Sequence, residues 1–185
     1  MLDEIYKDAQ MRMSKTLQVL HNELRKLRTG RASPALVNDL PVSCYGSTSP
    51  LNQVANVGVQ DPRTLSVTPW DKQLVPAIER AIMESSLGLN PMSAGQVIRI
   101  PLPPLTEERR RELAKTVRGD GENTKIALRN IRRDAIGTLR DLLKDKEVSE
   151  DDEHRAQDRL QKLTDQNTTE VDAIIATKES EIMEV

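Results

Sequence analysis

The chain has 185 residues, 30% of them charged and 2% aromatic, with no Phe and a formal net charge of −2. Any core must come from Leu, Ile, Val, Ala and Met, which favours helix packing. The single cysteine, Cys44, excludes an internal disulfide and a tetrahedral cysteine zinc site. The N-terminus lacks the basic and apolar regions of a signal peptide, and no apolar run nears the ~18 residues that span a membrane, so a cytoplasmic protein is expected.

From Ile5 to Leu27 apolar residues recur at Ile5, Ala9, Met13, Leu17, Leu20, Leu24 and Leu27, in steps of three and four that place one stripe on a helix. This helix is predicted to end at Thr29-Gly30, where Gly tolerates the left-handed conformation and Pro34 bars continuation. Between Val37 and Leu105 short apolar runs alternate with Gly, Pro, Asn and Ser, predicting strands at Val42–Tyr45, Val54–Val59, Leu65–Thr68 and Val97–Ile100. One helix is predicted among them, opening near Val75-Pro76, facing inward with Leu74, Ile78 and Ile82, and stopping at Gly88.

Pro101, Pro103 and Pro104 predict an extended linker, because a proline disfavours helix at the residue before it. Thr106 followed by Glu107 and Glu108 then signals a helix start. Leu113, Val117, Leu128, Ile131, Ala135, Leu139 and Leu142 keep one face of this second long helix. Ser149 and Asp152 form a capping box for a third, lined by Leu160, Leu163, Val171, Ile174 and Ile182. An amphipathic helix cannot bury its stripe alone, so a three-helix bundle is predicted. The expected fold class is α+β: bundle residues 1–30 and 105–185, with a small β/α/β domain, 31–104, inserted between the first and second helices. Two short connections, 30–34 and 101–104, make a hinge at Gly30, Ser33, Pro34, Pro101, Pro103 and Pro104.

Charge is unevenly spread. Residues 1–33 carry about +3, 34–105 about −1, 106–148 about +3 and 149–185 about −7. On a wheel of the second long helix at 100° per residue, with Leu128 at zero, the cations gather on one side. Arg132 falls at about 40°, Lys125 at about 60°, Arg118 at about 80°, Arg111 and Arg129 at about 100°, Arg140 at about 120° and Arg133 at about 140°. Asp134, Asp141 and Asp145 lie opposite. Such a row can neutralise successive phosphates, and guanidinium forks suit phosphate, so a nucleic-acid partner is expected. Arg25, Lys26, Arg28 and Arg31 form a second basic cluster. The competing account is a solvated helical face, in a structural or chaperone-like interaction protein. Segregation of the two signs favours the first.

Chemistry of other kinds finds no footing. His21 and His154 have no ligand spacing around them. Glu150 to Glu153 are explained by a helix N-terminus. Gly119-Asp120-Gly121 follows no strand and is too short for a phosphate loop. Cys44 reads as a buried strand residue rather than a nucleophile. No catalytic residue, metal site or cofactor is expected.

Several segments are distinctive together: Lys26-Leu27-Arg28-Thr29-Gly30-Arg31-Ala32-Ser33-Pro34, Leu87-Gly88-Leu89-Asn90-Pro91, Pro101-Leu102-Pro103-Pro104-Leu105-Thr106-Glu107-Glu108-Arg109-Arg110, Arg129-Asn130-Ile131-Arg132-Arg133-Asp134-Ala135 and Lys144-Asp145-Lys146-Glu147-Val148-Ser149-Glu150-Asp151-Asp152. Over essentially the whole chain they resemble bacterial ribosome recycling factor. The resemblance implies an L-shaped monomer of transfer-RNA dimensions that binds large-subunit ribosomal RNA in the intersubunit space. It also implies elongation factor G as partner, with the GTPase belonging to that partner. It carries RNA contact to Arg28, Arg31, Arg110, Arg129, Arg132 and Arg133, and Lys125 joins them from the wheel. Gly121 and Gly137 depart from the family pattern and are expected to soften the second long helix.

Overall fold

The computed structural model describes residues 1–27 and 29–184. They form two compact units, one comprising Met1–Leu24 with Arg110–Val185, the other Arg25–Arg109. Three long helices make the first: α1 (Leu2–Arg25), α4 (Glu107–Lys144) and α5 (Glu150–Met183). The short α2 (Leu51–Val54) and the ten-residue α3 (Val75–Glu84) lie in the middle unit.

The bundle core is the predicted stripe. Ala9, Met13, Leu17, Leu20 and Leu24 of α1 are buried, with Leu113, Val117, Leu128, Ile131, Ala135 and Leu139 of α4 and Leu160, Leu163, Val171 and Ile182 of α5. Ile5, Leu27, Leu142 and Ile174, predicted on the same stripes, are only half-buried. Two buried hydroxyls are satisfied within their own helices: Thr124 donates to the Asp120 carbonyl at 2.9 Å and Thr164 to the Leu160 carbonyl at 2.8 Å. The helix starts follow the capping residues. Thr106 Oγ1 accepts the Arg109 N–H at 3.1 Å, and Ser149 Oγ accepts the Asp152 N–H at 3.1 Å.

Helix α4 runs unbroken through both glycines. Gly121 is buried, and a Cβ there would stand 2.8 Å from Ile175 Cγ1, so glycine is what lets α4 and α5 approach at this point. Gly137 is exposed, with nothing within 4 Å of a Cβ.

In the middle unit β1 (Pro41–Cys44) pairs with β2 (Ser47–Pro50). A four-stranded antiparallel sheet in the order β3-β4-β6-β5 is built from β3 (Ala55–Asp61), β4 (Thr64–Pro69), β5 (Met92–Ala94) and β6 (Val97–Pro101). Alternate residues Leu65 and Val67 of β4 and Ile98 and Ile100 of β6 point into a core closed by Ile78 and Ile82 of α3 and by Val37, Val42 and Leu51. Strands β2 and β5 and helix α2 were not predicted. Ser-Thr-Ser-Pro and Met-Ser-Ala carry no apolar alternation, and pairing with a neighbour, not propensity, makes them strands.

Other boundaries differ from prediction. Tyr45 leaves the strand for a left-handed turn (φ 48°) with Gly46 (φ 81°). Cys44 closes β1 half-buried rather than buried. Helix α3 stops at Glu84, before Gly88: Ser85 turns to extended backbone (φ −68°, ψ 152°), and its Oγ donates to the Ile82 carbonyl at 2.6 Å. Helix α1 stops at Arg25 instead of reaching Thr29, and Gly30 takes φ 87°.

The expected linkers are part of the β unit. Pro101 ends β6 opposite Thr64, and the buried Leu102 donates its N–H to the Arg63 carbonyl at 2.7 Å. Ala32 donates to the Pro62 carbonyl at 2.8 Å, and Ser33 caps a 3-10 turn opened by Pro34. Both connections are thus stitched to the β3–β4 turn. Pro103 and Pro104 are exposed beyond it.

Candidate nucleic-acid interface

The basic side of α4 divides into two rows. The row at lower wheel angle faces α5 and is answered by it. Arg118 Nε lies 2.5 Å from Glu179 Oε1, and Lys125 Nζ lies 2.5 Å from Asp172 Oδ1 and 3.4 Å from Glu122 Oε1. The hydrogen bond to Asp172 raises the Lys125 pKa against the opposing effect of burial, and the bond to Glu179 raises that of Arg118. Arg132, half-buried, donates from Nη1 to Gln161 Oε1 at 2.5 Å.

The outer row contains Arg129, Arg133 and Arg140. All three are exposed, and none takes part in an ion pair among the described residues. Arg129 and Arg133 are one turn apart, a spacing of about 6 Å along the axis, which suits neighbouring phosphates of a strand. Ile126, also exposed, lies one turn before them.

Of the residues expected to touch RNA, α4 brings together Lys125, Arg129, Arg132 and Arg133. Lys125 is placed differently from the others, its side chain only 23% exposed and held between two carboxylates. Arg110, in the first turns of α4, is half-buried, and its Nε has no hydrogen-bond partner. Arg31 is exposed and belongs to the middle unit. Arg28 lies outside the described residues. Sequence reasoning missed the acceptors on α5, although a signal was present: Asp165, Asp172 and Glu179 recur every seven residues, as do Arg118, Lys125 and Arg132.

His21 and His154 are exposed, the latter 3.8 Å from Asp158. Among the described residues no group of His, Cys, Asp and Glu is arranged to hold a metal ion, and no helix is long and apolar enough to cross a membrane. A cavity of about 400 Å³ at the N-terminal turns of α1 and α5 is lined by Leu2, Tyr6, Leu139, Arg155 and Arg159. Arg159 lies over the Tyr6 ring and is closed off by Asp3 at 2.6 Å. None of the candidate RNA-contacting residues lines it.

The chain thus combines a long helical bundle that bears bare guanidinium groups with a separate small β unit, and the comparisons assign this two-unit fold to a factor of the translation apparatus. The family model described as ribosome recycling factor matches residues 20–183. A ribosome-recycling factor of Thioalkalivibrio sulfidiphilus is 59% identical, and one of Legionella pneumophila (strain Paris) 54%, each over the full length of both chains. A solution structure of ribosome recycling factor superimposes with a TM-score of 0.80 at 43% identity, covering 100% of this chain and 98% of the other. A second structure has a TM-score of 0.69 at 46% identity over the whole of both chains. It shows the T. thermophilus ribosome recycling factor and E. coli elongation factor G on the E. coli post-termination complex. This chain belongs to the ribosome recycling factor family.

Proposed function

We propose that this chain splits the post-termination ribosome together with elongation factor G and frees messenger and transfer RNA. It docks on large-subunit ribosomal RNA through the outer row of α4. The observation that carries this is the pair Arg129 and Arg133, exposed one turn apart and left without carboxylate partners on a helix where Arg118 and Lys125 are paired with carboxylates of α5. Arg132 joins them, with Arg110, Arg31 and Arg28 extending the contact. The protein acts as a cytoplasmic monomer and performs no covalent chemistry, GTP hydrolysis being the partner's. The structure of a family member with elongation factor G on the post-termination complex supports this choice of partners.

The connections carrying Gly30, Ser33 and Pro34 on one side and Pro101, Pro103 and Pro104 on the other serve as the joint between the units. Residues 32–34 and 101–102 are its anchored base on the sheet. The elongation factor moves the β unit about this joint while the bundle stays on RNA.

The test is light scattering of post-termination ribosomes with elongation factor G and GTP. Splitting should require this protein and fall sharply with Arg132→Ala at unchanged helix content, through a loss of about 1–3 kcal/mol in binding. Affinity for ribosomes that is indifferent to salt would instead point to a protein partner, because phosphate contacts release counterions.

A further inference from the structure

The two flanking rows on α4 and α5 are in register. Arg118, Lys125 and Arg132 advance by seven residues along α4, while Glu179, Asp172 and Asp165 retreat by seven along the antiparallel α5. At the first two rungs a cation meets a carboxylate at 2.5 Å. At the third it does not. Arg132 donates to the side-chain amide of Gln161, and the same amide donates from Nε2 to Asp165 Oδ1 at 2.8 Å. The amide can face only one way here, because the guanidinium has donors alone and the carboxylate acceptors alone. Gln161 therefore fixes the Arg132 fork while keeping a neutral group between its charge and Asp165.

We infer that Gln161 is a positioning residue for RNA docking: it aims Arg132 without neutralising it, where the equivalent rungs spend Arg118 and Lys125 on α5. This inference rests on the proposed contact of Arg132 with RNA. Two physical consequences separate orientation from charge. An acidic group at position 161 would pair with Arg132 directly, so a phosphate would have to displace it, and one counterion fewer would be released on binding. An apolar group of similar size would release the fork from its orientation but leave its charge.

The experiment compares Gln161→Glu, Gln161→Met, Arg132→Ala and wild type for binding to purified bacterial large ribosomal subunits across a salt series. Gln161 is exposed, so both Gln161 variants should keep wild-type helix content, and the helix content of Arg132→Ala is measured alongside. Gln161→Glu should bind about tenfold more weakly at moderate salt, and its slope of log affinity against log salt should be flatter by roughly 0.7–0.9, the contribution of one phosphate contact. Gln161→Met should keep the wild-type slope and lose only about two- to threefold in affinity. A merely structural role would leave the slope of Gln161→Glu unchanged. If Arg132→Ala loses affinity and slope while Gln161→Glu keeps both, the inference is overturned and the RNA contact stands. If Arg132→Ala behaves as wild type, the RNA contact itself fails, and the role of Gln161 goes with it.

Discussion

The inner and outer sides of α4 use the same residue types to opposite ends. On the inner flank Arg118 and Lys125 close on Glu179 and Asp172, so their charge ties the third helix to the second. On the outer side Arg129, Arg133 and Arg140 are exposed, and none of them makes an ion pair among the described residues. Glycine divides the same way: Gly121 is the close contact with Ile175, whereas Gly137 faces open space. A basic row on a helical wheel therefore overstates the surface offered to a partner. Where an acidic neighbour stands within reach the cation closes on it, and only the cations left without a carboxylate keep their charge for a partner.

The largest expected effect tests that division directly. Arg129→Ala with Arg133→Ala should lower ribosome affinity at least tenfold and flatten the salt dependence by about two phosphate contacts, at unchanged melting temperature. Arg118→Ala with Lys125→Ala should leave affinity within about twofold. Equal losses from the two double variants, measured side by side, would erase the distinction between the rows.

Gly121→Ala should come next, destabilising the bundle by about 1–3 kcal/mol, because its methyl meets Ile175 at 2.8 Å. Denaturant midpoints would show this, and adding Ile175→Val should recover part of the loss. Gly137→Ala should move the other way by about 0.5–1 kcal/mol, since an exposed helix position gains alanine's propensity at no steric cost. A midpoint unchanged by either substitution would mean that the two sides are packed alike.

The smallest effect concerns the α1–α5 edge, where Arg159 holds Asp3 ionised below its ordinary pKa of 3.8 through their hydrogen bond. A depressed carboxylate pKa contributes stability that is complete above the ordinary value and is lost as pH falls through the folded value. The stability difference between wild type and Asp3→Asn should therefore be small and constant near neutrality and shrink below about pH 4. A difference that grows on acidification would contradict the pairing.

Periodicity made the long helices legible, because a stripe repeating every three or four residues has few other ways to be buried, and the Ser149 and Thr106 caps marked their starts. It also made legible the basic side of α4 and the inserted β unit. Strands β2 and β5 were not, since Ser47–Pro50 and Met92–Ala94 are strands only by virtue of the neighbours that pair with them. Nor was the anchoring of Ala32 and Leu102 to the β3–β4 turn, which turned expected linker into sheet margin.

What the amino-acid order determined alone was therefore each helix's own faces: which residues are apolar, which are cationic, and where the chain can start or stop turning. Which cations remain bare was decided by tertiary structure. The register of α5 against α4, permitted by Gly121, brings Asp172 and Glu179 within reach of Lys125 and Arg118 and sets Gln161 against Arg132. Whether a charge is spent inside the fold or offered outside depends on distances of a few ångströms between helices, and no single helix contains them.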